Sequence, residues 1–246
     1  AAKIVYKNPL HLKELEFSDI ILDMESRAFD SANMAMPRWV FYDCAVMPGV
    51  VAGFAQRTST LSPAVKKAIG TEIKGEWTPL SLFICIPTVQ SENWLAHNLS
   101  SINSILDQKD RYYGLGFLSK AFGLWYCNVP HLFGMTQWGS PALKLHCNFG
   151  NLEILTCYTP VHSHAQTVTY NCDVDSSLWE SFFTKKFDTH FHDNFKYAGF
   201  DIQPKDEKSM LSLQAKIEAE ENKFYLDPEH LRNESLTKAI PIYTPR

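Results

Sequence analysis

A glycine pair at the start of an apolar helical pattern constrains the fold of this chain more than any other feature. The stretch from Asp110 to Trp125 reads DRYYGLGFLSKAFGLW, in which Gly114 and Gly116 precede apolar residues at helical spacing. A helix that begins directly after such a turn exposes backbone N–H groups that have no partner inside the helix. Together with the helix dipole, these groups can hold an anion. A tight turn before a core helix has the same pattern, so the sequence allows both interpretations.

Strand and helix patterns alternate on both sides of this turn. SPAVKKAIG and SPALKLHCNFG predict helices, because each has a proline near its start and a glycine at its end. EFSDIILDMESRAFDSA predicts a helix capped by Ser18 or Asp19, whereas RWVFYDCAVMPGVVAGFAQR predicts two short strands around a turn at 47–49. Five further stretches predict strands, namely TPLSLFICIPTV, ENWLAHNLSSINSI, HLFGMTQW, NLEILTCYTP and AQTVTYNCDV. This alternation predicts an α/β (α+β) fold.

The character of the chain changes after Asp175. DSSLWESFFTKKF predicts a helix, KDEKSMLSLQAKIEAEENKFYL predicts a charged amphipathic helix, and NESLTKAIPIYTPR has the composition of an arm or tail. We therefore expect one domain over 1–175 and a C-terminal helical extension over 176–246. The extension either packs on its own domain or contacts a second subunit, and the second arrangement predicts a homodimer.

Composition excludes several classes of partner. The net charge of −4 and the absence of a basic stripe argue against nucleic acid, whose affinity for proteins depends on phosphate neutralisation. The sequence has no apolar run of about 20 residues, the length that spans a membrane. The first residues, AAKIVYKNPLHL, lack the apolar core of a secretory signal, so we expect a cytoplasmic protein. The six cysteines show no C-x-x-C spacing, which predicts reduced thiols packed as small apolar residues.

The residues from Arg111 to Gly116 have the form R/Q-x-x-G-x-G/A, which resembles the acyl-CoA-binding loop of the GNAT superfamily of N-acyltransferases. Upstream, FYDCAVMPGVVAGFA is similar to a hairpin of that family that ends in a GxxxGFA-like strand, here Gly49 to Ala55. The resemblance covers about residues 15–175. It implies a mixed, mostly antiparallel central sheet flanked by helices, with the glycine loop between the fourth strand and the third helix of the family.

The segment TQWGSPALKLHCNFG carries a second part of the resemblance. In the family, a fifth strand leads here into a helix of the form N-x-x-A-x-x-L-Y-x-x-x-G-F. Ala142 and Leu145 match this form, and His146 replaces its tyrosine. Phe149 and Gly150 stand in the reverse order of the family ending. These departures leave the catalytic role of the helix open.

The resemblance implies an acyl-CoA co-substrate, no metal, and transfer of the acyl group to an amine of a small-molecule acceptor. A backbone N–H of the fourth strand would polarise the thioester carbonyl, as in an oxyanion hole. The pyrophosphate would be held by one arginine and the backbone N–H groups of the residues that follow it: Arg111, Tyr112, Tyr113, Gly114, Leu115, Gly116 and Phe117.

Four residues are candidates for proton transfer in this chemistry. Glu92 and His97 lie near the predicted fourth strand and are candidate bases for the amine. His146 stands where the family tyrosine protonates the leaving thiolate, and Tyr158 is a second candidate acid. Each has a structural alternative: a solvated charge for Glu92, a hydrogen-bonded histidine for His97 or His146, and a packing role for Tyr158.

Two other patterns are weaker. His162 with His164, and His190 with His192, could each chelate a metal from one face of a strand, but no further ligand stands at a familiar spacing, so we expect no metal. Two alternatives to an acyltransferase stay open. One is a non-catalytic ligand-binding protein with the same fold, and the other is an unrelated α+β enzyme of small molecules, thioesterase-like or lyase-like.

Overall fold

The computed structural model describes residues 5–46, 49–161, 164–174, 190–220 and 222–246. Its α-helices are α1 (Leu15–Phe29), α2 (Arg38–Val46), α3 (Pro63–Ile69), α4 (Leu115–Tyr126), α5 (Pro141–His146), α6 (Phe191–Asn194), α7 (Glu207–Glu218) and α8 (Pro228–Asn233). Its strands are β1 (Val50–Ala52), β2 (Ala55–Arg57), β3 (Trp77–Pro79), β4 (Ser81–Pro87), β5 (Asn93–Ser101), β6 (His131–Gln137), β7 (Leu152–Thr156), β8 (Thr167–Asp173), β9 (Phe195–Ile202), β10 (Phe224–Leu226) and β11 (Ile240–Pro245).

The chain divides into two units. The first comprises Ala1–Pro87 and Ala96–Asn128, and the second comprises Thr88–Leu95 and Val129–Arg246. Strand β5 therefore begins in the second unit and ends in the first. The glycine turn belongs to the first unit.

In the first unit, the strand order is β1-β4-β5, and β1 pairs with β4 in antiparallel register, with Val50 opposite Cys85. All side chains from Ser81 to Cys85 are buried, which is typical of a strand covered on both faces. Helix α4 packs on β4 and β1. A Cβ at Gly123 would lie 2.5 Å from the Phe83 ring, so this close approach of helix and strand requires glycine.

In the second unit, the strand order is β5-β6-β8-β7-β10-β11-β9. Strands β5 and β6 are parallel, with Asn93 opposite His131 and Leu95 opposite Phe133, and the other pairings in this unit are antiparallel. Helix α5 packs on β6, α7 on β7 and β9, and α8 on β11. The predicted fold class is confirmed: the sheet is mixed and mostly antiparallel, and helices flank it.

Most predicted elements before residue 175 are confirmed, including α1, α3, α4, α5 and the five strands. One prediction was wrong, since Arg38–Val46 is a helix and only Val50–Ala52 and Ala55–Arg57 are strands. The buried residues of this helix, Phe41 and Cys44, are three positions apart, which is a helical spacing. The aromatic and β-branched residues of the segment favoured the strand prediction instead. The predicted cap of α1 was also wrong, because the helix begins at Leu15 and contains Ser18 and Asp19.

The C-terminal region contains strands as well as the predicted helix over 207–218. NESLTKAIPIYTPR, predicted as an arm or tail, forms β11, which pairs with both β10 and β9. The boundary predicted at 175/176 falls inside the second unit, to which β9, β10 and β11 contribute three strands. The helix predicted in DSSLWESFFTKKF and the residue His162 lie outside the described residues. No helix of the described ranges has both the length and the apolar character that crossing a membrane requires.

Candidate functional site

The turn before α4 has a backbone conformation that is compatible with anion binding at the helix N-terminus. Gly114 is the residue that precedes the helix, and its φ of +71° and ψ of 8° place it in the left-handed region, which glycine adopts at little cost. The first hydrogen bond of the helix runs from the Leu118 N–H to the Gly114 carbonyl at 2.9 Å. No side chain caps the helix at Gly114. Glycine has no side chain that could accept hydrogen bonds from the first N–H groups of the helix, so an anion could take this place.

Asn103 makes two hydrogen bonds to Tyr112, the residue two positions before Gly114. Its side-chain amide donates to the Tyr112 carbonyl at 2.7 Å and accepts from the Tyr112 N–H at 2.8 Å. The Tyr112 hydroxyl donates to Gln56 at 2.8 Å, and burial raises the pKa of this phenol. The prediction that the Tyr112 N–H holds pyrophosphate is therefore corrected, because that donor already has an acceptor. Tyr112 instead fixes the turn.

Arg111 lies beside the turn with an exposed side chain. Its Nε–H donates to the Leu106 carbonyl at 3.2 Å, which anchors the base of the guanidinium. Arginine has five N–H donors, so four remain for a ligand. Tyr113 is 89% exposed, and a Cβ built at Gly114 would meet no atom within 4 Å. Apart from its two chain neighbours, which that distance does not include, no described residue fills the space next to the Gly114 Cα.

Serine side chains fix α4 to the sheet of the first unit. The Ser119 hydroxyl donates to Ser81 Oγ at 2.6 Å or to the Leu115 carbonyl at 2.8 Å, and both groups are buried. Ser81 Oγ also accepts the Phe54 N–H at 2.8 Å. The start of α4 is thus held by hydrogen bonds to β4 as well as by apolar packing, which keeps its N–H groups in one direction.

His97 lies on β5 in the same unit as the glycine turn. Its side chain keeps an exposed edge, and partial burial lowers the pKa of the imidazole. A lowered pKa favours the neutral ring at pH 7, which is the form that can accept a proton. His97 therefore remains a chemically competent candidate base.

The other three predicted residues lie in the second unit on separate elements. Glu92 is exposed in the turn before β5, with φ of +70°. His146 ends α5 and is 6% exposed, with its ring 5.3 Å from the ring of Tyr170. Tyr158 follows β7, and burial, together with the Glu207 carboxylate, raises the pKa of its phenol. A raised pKa makes Tyr158 a weaker acid, so this environment does not favour its predicted role.

The pair His190 and His192 does not belong to a metal-binding group among the described residues, and the pair His162 and His164 is not tested because His162 lies outside them. No group of three or more His, Cys, Asp or Glu side chains is placed to hold an ion in those residues. His190 Nδ1 lies 3.5 Å from Asp193 Oδ2, and His192 Nε2 lies 3.4 Å from Asp227 Oδ2. The six cysteines are thiols, and burial raises the pKa of both Cys85 and Cys157 to about 12, which is unsuited to a nucleophile.

Comparisons with protein-family models and with curated protein sequences give no match. A chain in the structure of the NatC complex bound to Gag peptide and CoA is similar to this chain with a TM-score of 0.44 and 14% identity. That similarity covers 71% of this chain and 100% of the other. A proposed acyl-CoA N-acyltransferase from Klebsiella pneumoniae is similar with a TM-score of 0.39 and 13% identity, over 70% of this chain and 97% of the other. Both TM-scores are low, so neither likeness bears on the ligand or the activity of this chain.

Proposed function

We propose that this protein binds an acyl-CoA and transfers the acyl group to an amine of a small-molecule acceptor. The observation that carries the proposal is the start of α4 at a left-handed Gly114, a residue that has no side chain to cap the helix. A helix of 12 residues has a developed dipole, so its first N–H groups attract a pyrophosphate. The order of strand, glycine turn and helix agrees with the resemblance to N-acyltransferases.

The phosphate contacts would come from a short set of groups. The N–H groups of Gly114, Leu115 and Gly116 would donate to the pyrophosphate, and the terminal amino groups of Arg111 would pair with its charge. Asn103 would keep the turn in shape through Tyr112. The predicted contacts of Tyr113 and Phe117 stay predictions.

The chemistry would take place along β5, the strand that leads to the glycine turn. A backbone N–H of this strand would donate to the thioester carbonyl and stabilise the oxyanion that forms on attack. The amine must lose protons before and after it attacks, which requires a base beside the strand. His97 is the predicted base that lies in the first unit.

Calorimetry with acetyl-CoA and with longer acyl-CoAs tests the proposal. We expect binding by the wild-type protein and a loss of about tenfold or more in affinity for Arg111→Gln, because one charge-assisted contact is removed. Lys109→Gln is the matched control, since Lys109 is an exposed cation two residues away. Absence of binding at millimolar concentration, or an equal effect of both substitutions, would contradict the proposal.

A non-catalytic ligand-binding protein is the second candidate function. It is favoured by the surroundings of the two predicted acids, since His146 is buried against Tyr170 and the pKa of Tyr158 is raised. The two candidates differ in turnover. Release of free CoA thiol from acetyl-CoA in the presence of a panel of primary amines supports the transferase, and binding without release supports the alternative.

A further inference from the structure

A carboxylate is buried in the middle of α1 in the first unit. Glu25 has 0% exposure. Its two oxygens share the N–H of Met36, at 3.0 and 3.1 Å, and one of them accepts the side-chain amide of Asn98 at 2.8 Å. No cation pairs with Glu25 among the described residues. A buried carboxylate without a counter-charge is expensive to keep in a fold, so its position calls for an explanation.

Two buried polar atoms on β5 lack a hydrogen-bond partner among the described residues, and one of them belongs to Asn98, which contacts this carboxylate. Asn98 Oδ1 and Ser100 Oγ are both buried without a hydrogen-bond partner, and Ser100 is 5% exposed. Both residues lie on β5 and are two apart, so their side chains point to the same face of the strand, about 7 Å apart along it. Asn98 reaches Glu25 directly. Glu25 and Asn98 are in contact, Ser100 lies on the same face of β5 as Asn98, and hydrogen-bonding positions of all three are left unfilled by the described residues.

A group that satisfies such a set must donate hydrogen bonds, and one that also balances the carboxylate must carry positive charge. A carboxylate accepts at about four lone-pair positions, and here only the Met36 N–H and the Asn98 amide use them. A primary ammonium has three N–H donors and one charge, which matches the Glu25 carboxylate, Asn98 Oδ1 and Ser100 Oγ. A buried water is the alternative, since it would supply two donors and no charge.

We propose that Glu25, Asn98 and Ser100 bind the primary amine of the acceptor, and that Glu25 accepts a proton from the bound ammonium. This assignment rests on the proposed acyltransferase function. It makes Glu25, on α1, the base in place of His97, which lies on the opposite face of β5 from Asn98 and Ser100.

Protons and electrons balance in the step. The ammonium gives one proton to the Glu25 carboxylate, and the nitrogen lone pair forms a bond to the thioester carbonyl carbon. The carbon–sulfur bond breaks and its electron pair leaves with the sulfur. The acylated nitrogen loses its second proton to the thiolate, which yields the amide and free CoA thiol. The Glu25 carboxyl then releases its proton to water.

The surroundings of Glu25 suit this role. Burial raises the pKa of the carboxyl, and the hydrogen bonds from Asn98 and Met36 only partly oppose this effect. No charged side chain of the described residues in α1, β5 or the connection between α1 and α2 contributes to the shift. A raised pKa brings the carboxyl closer to the proton affinity that a base needs near neutral pH.

The connection between α1 and α2 covers the carboxylate. Asn33, Met34 and Pro37 are exposed in this connection, and the Met36 backbone N–H donates to the Glu25 carboxylate. An ammonium that enters the site would compete with the Met36 N–H for hydrogen bonds to the Glu25 oxygens. Binding is therefore expected to change the environment of the Met36 amide as well as that of the Asn98 side chain.

Nuclear magnetic resonance of the ¹⁵N-labelled full chain tests the amine site without any acyl-CoA. We expect ethylammonium chloride to shift the Met36 backbone amide and the Asn98 side-chain amide, with saturation. Tetramethylammonium chloride has the same charge and no N–H donor, so it should leave both signals in place. Glu25→Gln should abolish the shifts, whereas Glu14→Gln, which changes another buried glutamate, should retain them. No saturable shift, or an equal response to tetramethylammonium, overturns the site and indicates a buried water only.

Kinetics tests the base. We expect Glu25→Gln to lower kcat about 100-fold or more, to remove the acid limb of the pH–rate profile, and to leave the Kd for acetyl-CoA within about twofold. Glu14→Gln, which changes a buried glutamate outside the proposed site, should retain kcat within a few-fold. Ser100→Ala should raise the KM for the amine with little change in kcat, and it provides a second test if Glu25→Gln does not fold. A lost acid limb in His97→Gln and not in Glu25→Gln overturns the assignment. Loss of acetyl-CoA binding by the wild-type protein would instead refute the acyltransferase function itself.

Discussion

Two glycines of the first unit separate the effect of backbone strain from the effect of ligand contact. Gly114 precedes α4 with φ of +71°, and Gly70 follows α3 with φ of +77°. A Cβ at either position would meet no atom within 4 Å. Alanine at each position therefore introduces the same left-handed strain without a clash, and only one of the two lies at the proposed pyrophosphate site.

The two substitutions should destabilise the protein equally and differ in ligand binding. The left-handed conformation of alanine lowers the free energy of unfolding by about 1 kcal/mol, and urea denaturation should report this value for both variants. In Gly114→Ala the added methyl group stands where a phosphate approaches the backbone. Loss of one charge-assisted hydrogen bond is worth about 1.5–3 kcal/mol, or about 10- to 150-fold in the Kd for CoA.

Isothermal calorimetry with CoA, at matched protein stability, measures the difference. Gly70→Ala should bind CoA as the wild-type protein does. An equal loss of affinity in both variants would assign the effect to strain that spreads through the first unit. Unchanged affinity in Gly114→Ala would show that the start of α4 does not hold the phosphates, and the reasoning from the glycine turn would then be refuted.

Three other substitutions are expected to change the stability of the protein. Gly134→Ala should lower the free energy of unfolding by about 1–3 kcal/mol, because its Cβ would lie 2.2 Å from the Tyr170 hydroxyl, whereas Gly139→Ala, with no atom within 4 Å, should not. Ser119→Ala should lower it by about 1–2 kcal/mol through loss of the bond to Ser81, and Ser104→Ala, an exposed serine, is its control in thermal denaturation. Glu25→Gln should raise stability at neutral pH, since the raised pKa of Glu25 stabilises the fold only while the carboxyl is protonated. This gain should shrink as the pH falls towards the ordinary value of 4.5, and a gain that grows on acidification would contradict the assigned direction.

Elements whose ends are marked by local chemistry were predictable from the sequence. Ser62 caps α3 and Gly70 ends it in the left-handed region, and Ser140 caps α5. The strands β4, β6 and β8 were also predictable, because their β-branched and aromatic residues are set off by prolines and polar turns. These signals are local, so they do not depend on which elements pack together.

Elements decided by long-range pairing were not predictable. The tail of the chain becomes β11 because it lies between β10 and β9, with Tyr243 opposite both Tyr225 and Tyr197. Its sequence, which contains two prolines within the strand, is a weak strand signal by itself. Likewise the glycine turn was predictable, but the bond from the Tyr112 amide to Asn103 depends on a tertiary contact across nine positions.

The position of Glu25 on α1 is a sequence signal for a buried carboxylate. It lies three positions after Leu22 and four after Ile21, on the stripe of α1 that is buried, so the helical pattern places a carboxylate where an apolar residue is expected. Glu16, a half-buried glutamate on the same helix, accepts hydrogen bonds from the backbone N–H groups of Lys74 and Gly75. Glu25 lies on the buried stripe of α1, where its side chain has no exposure to water. A buried carboxylate without a counter-charge is costly, and a bound ammonium would reduce this cost, which is the physical basis of the proposed amine site.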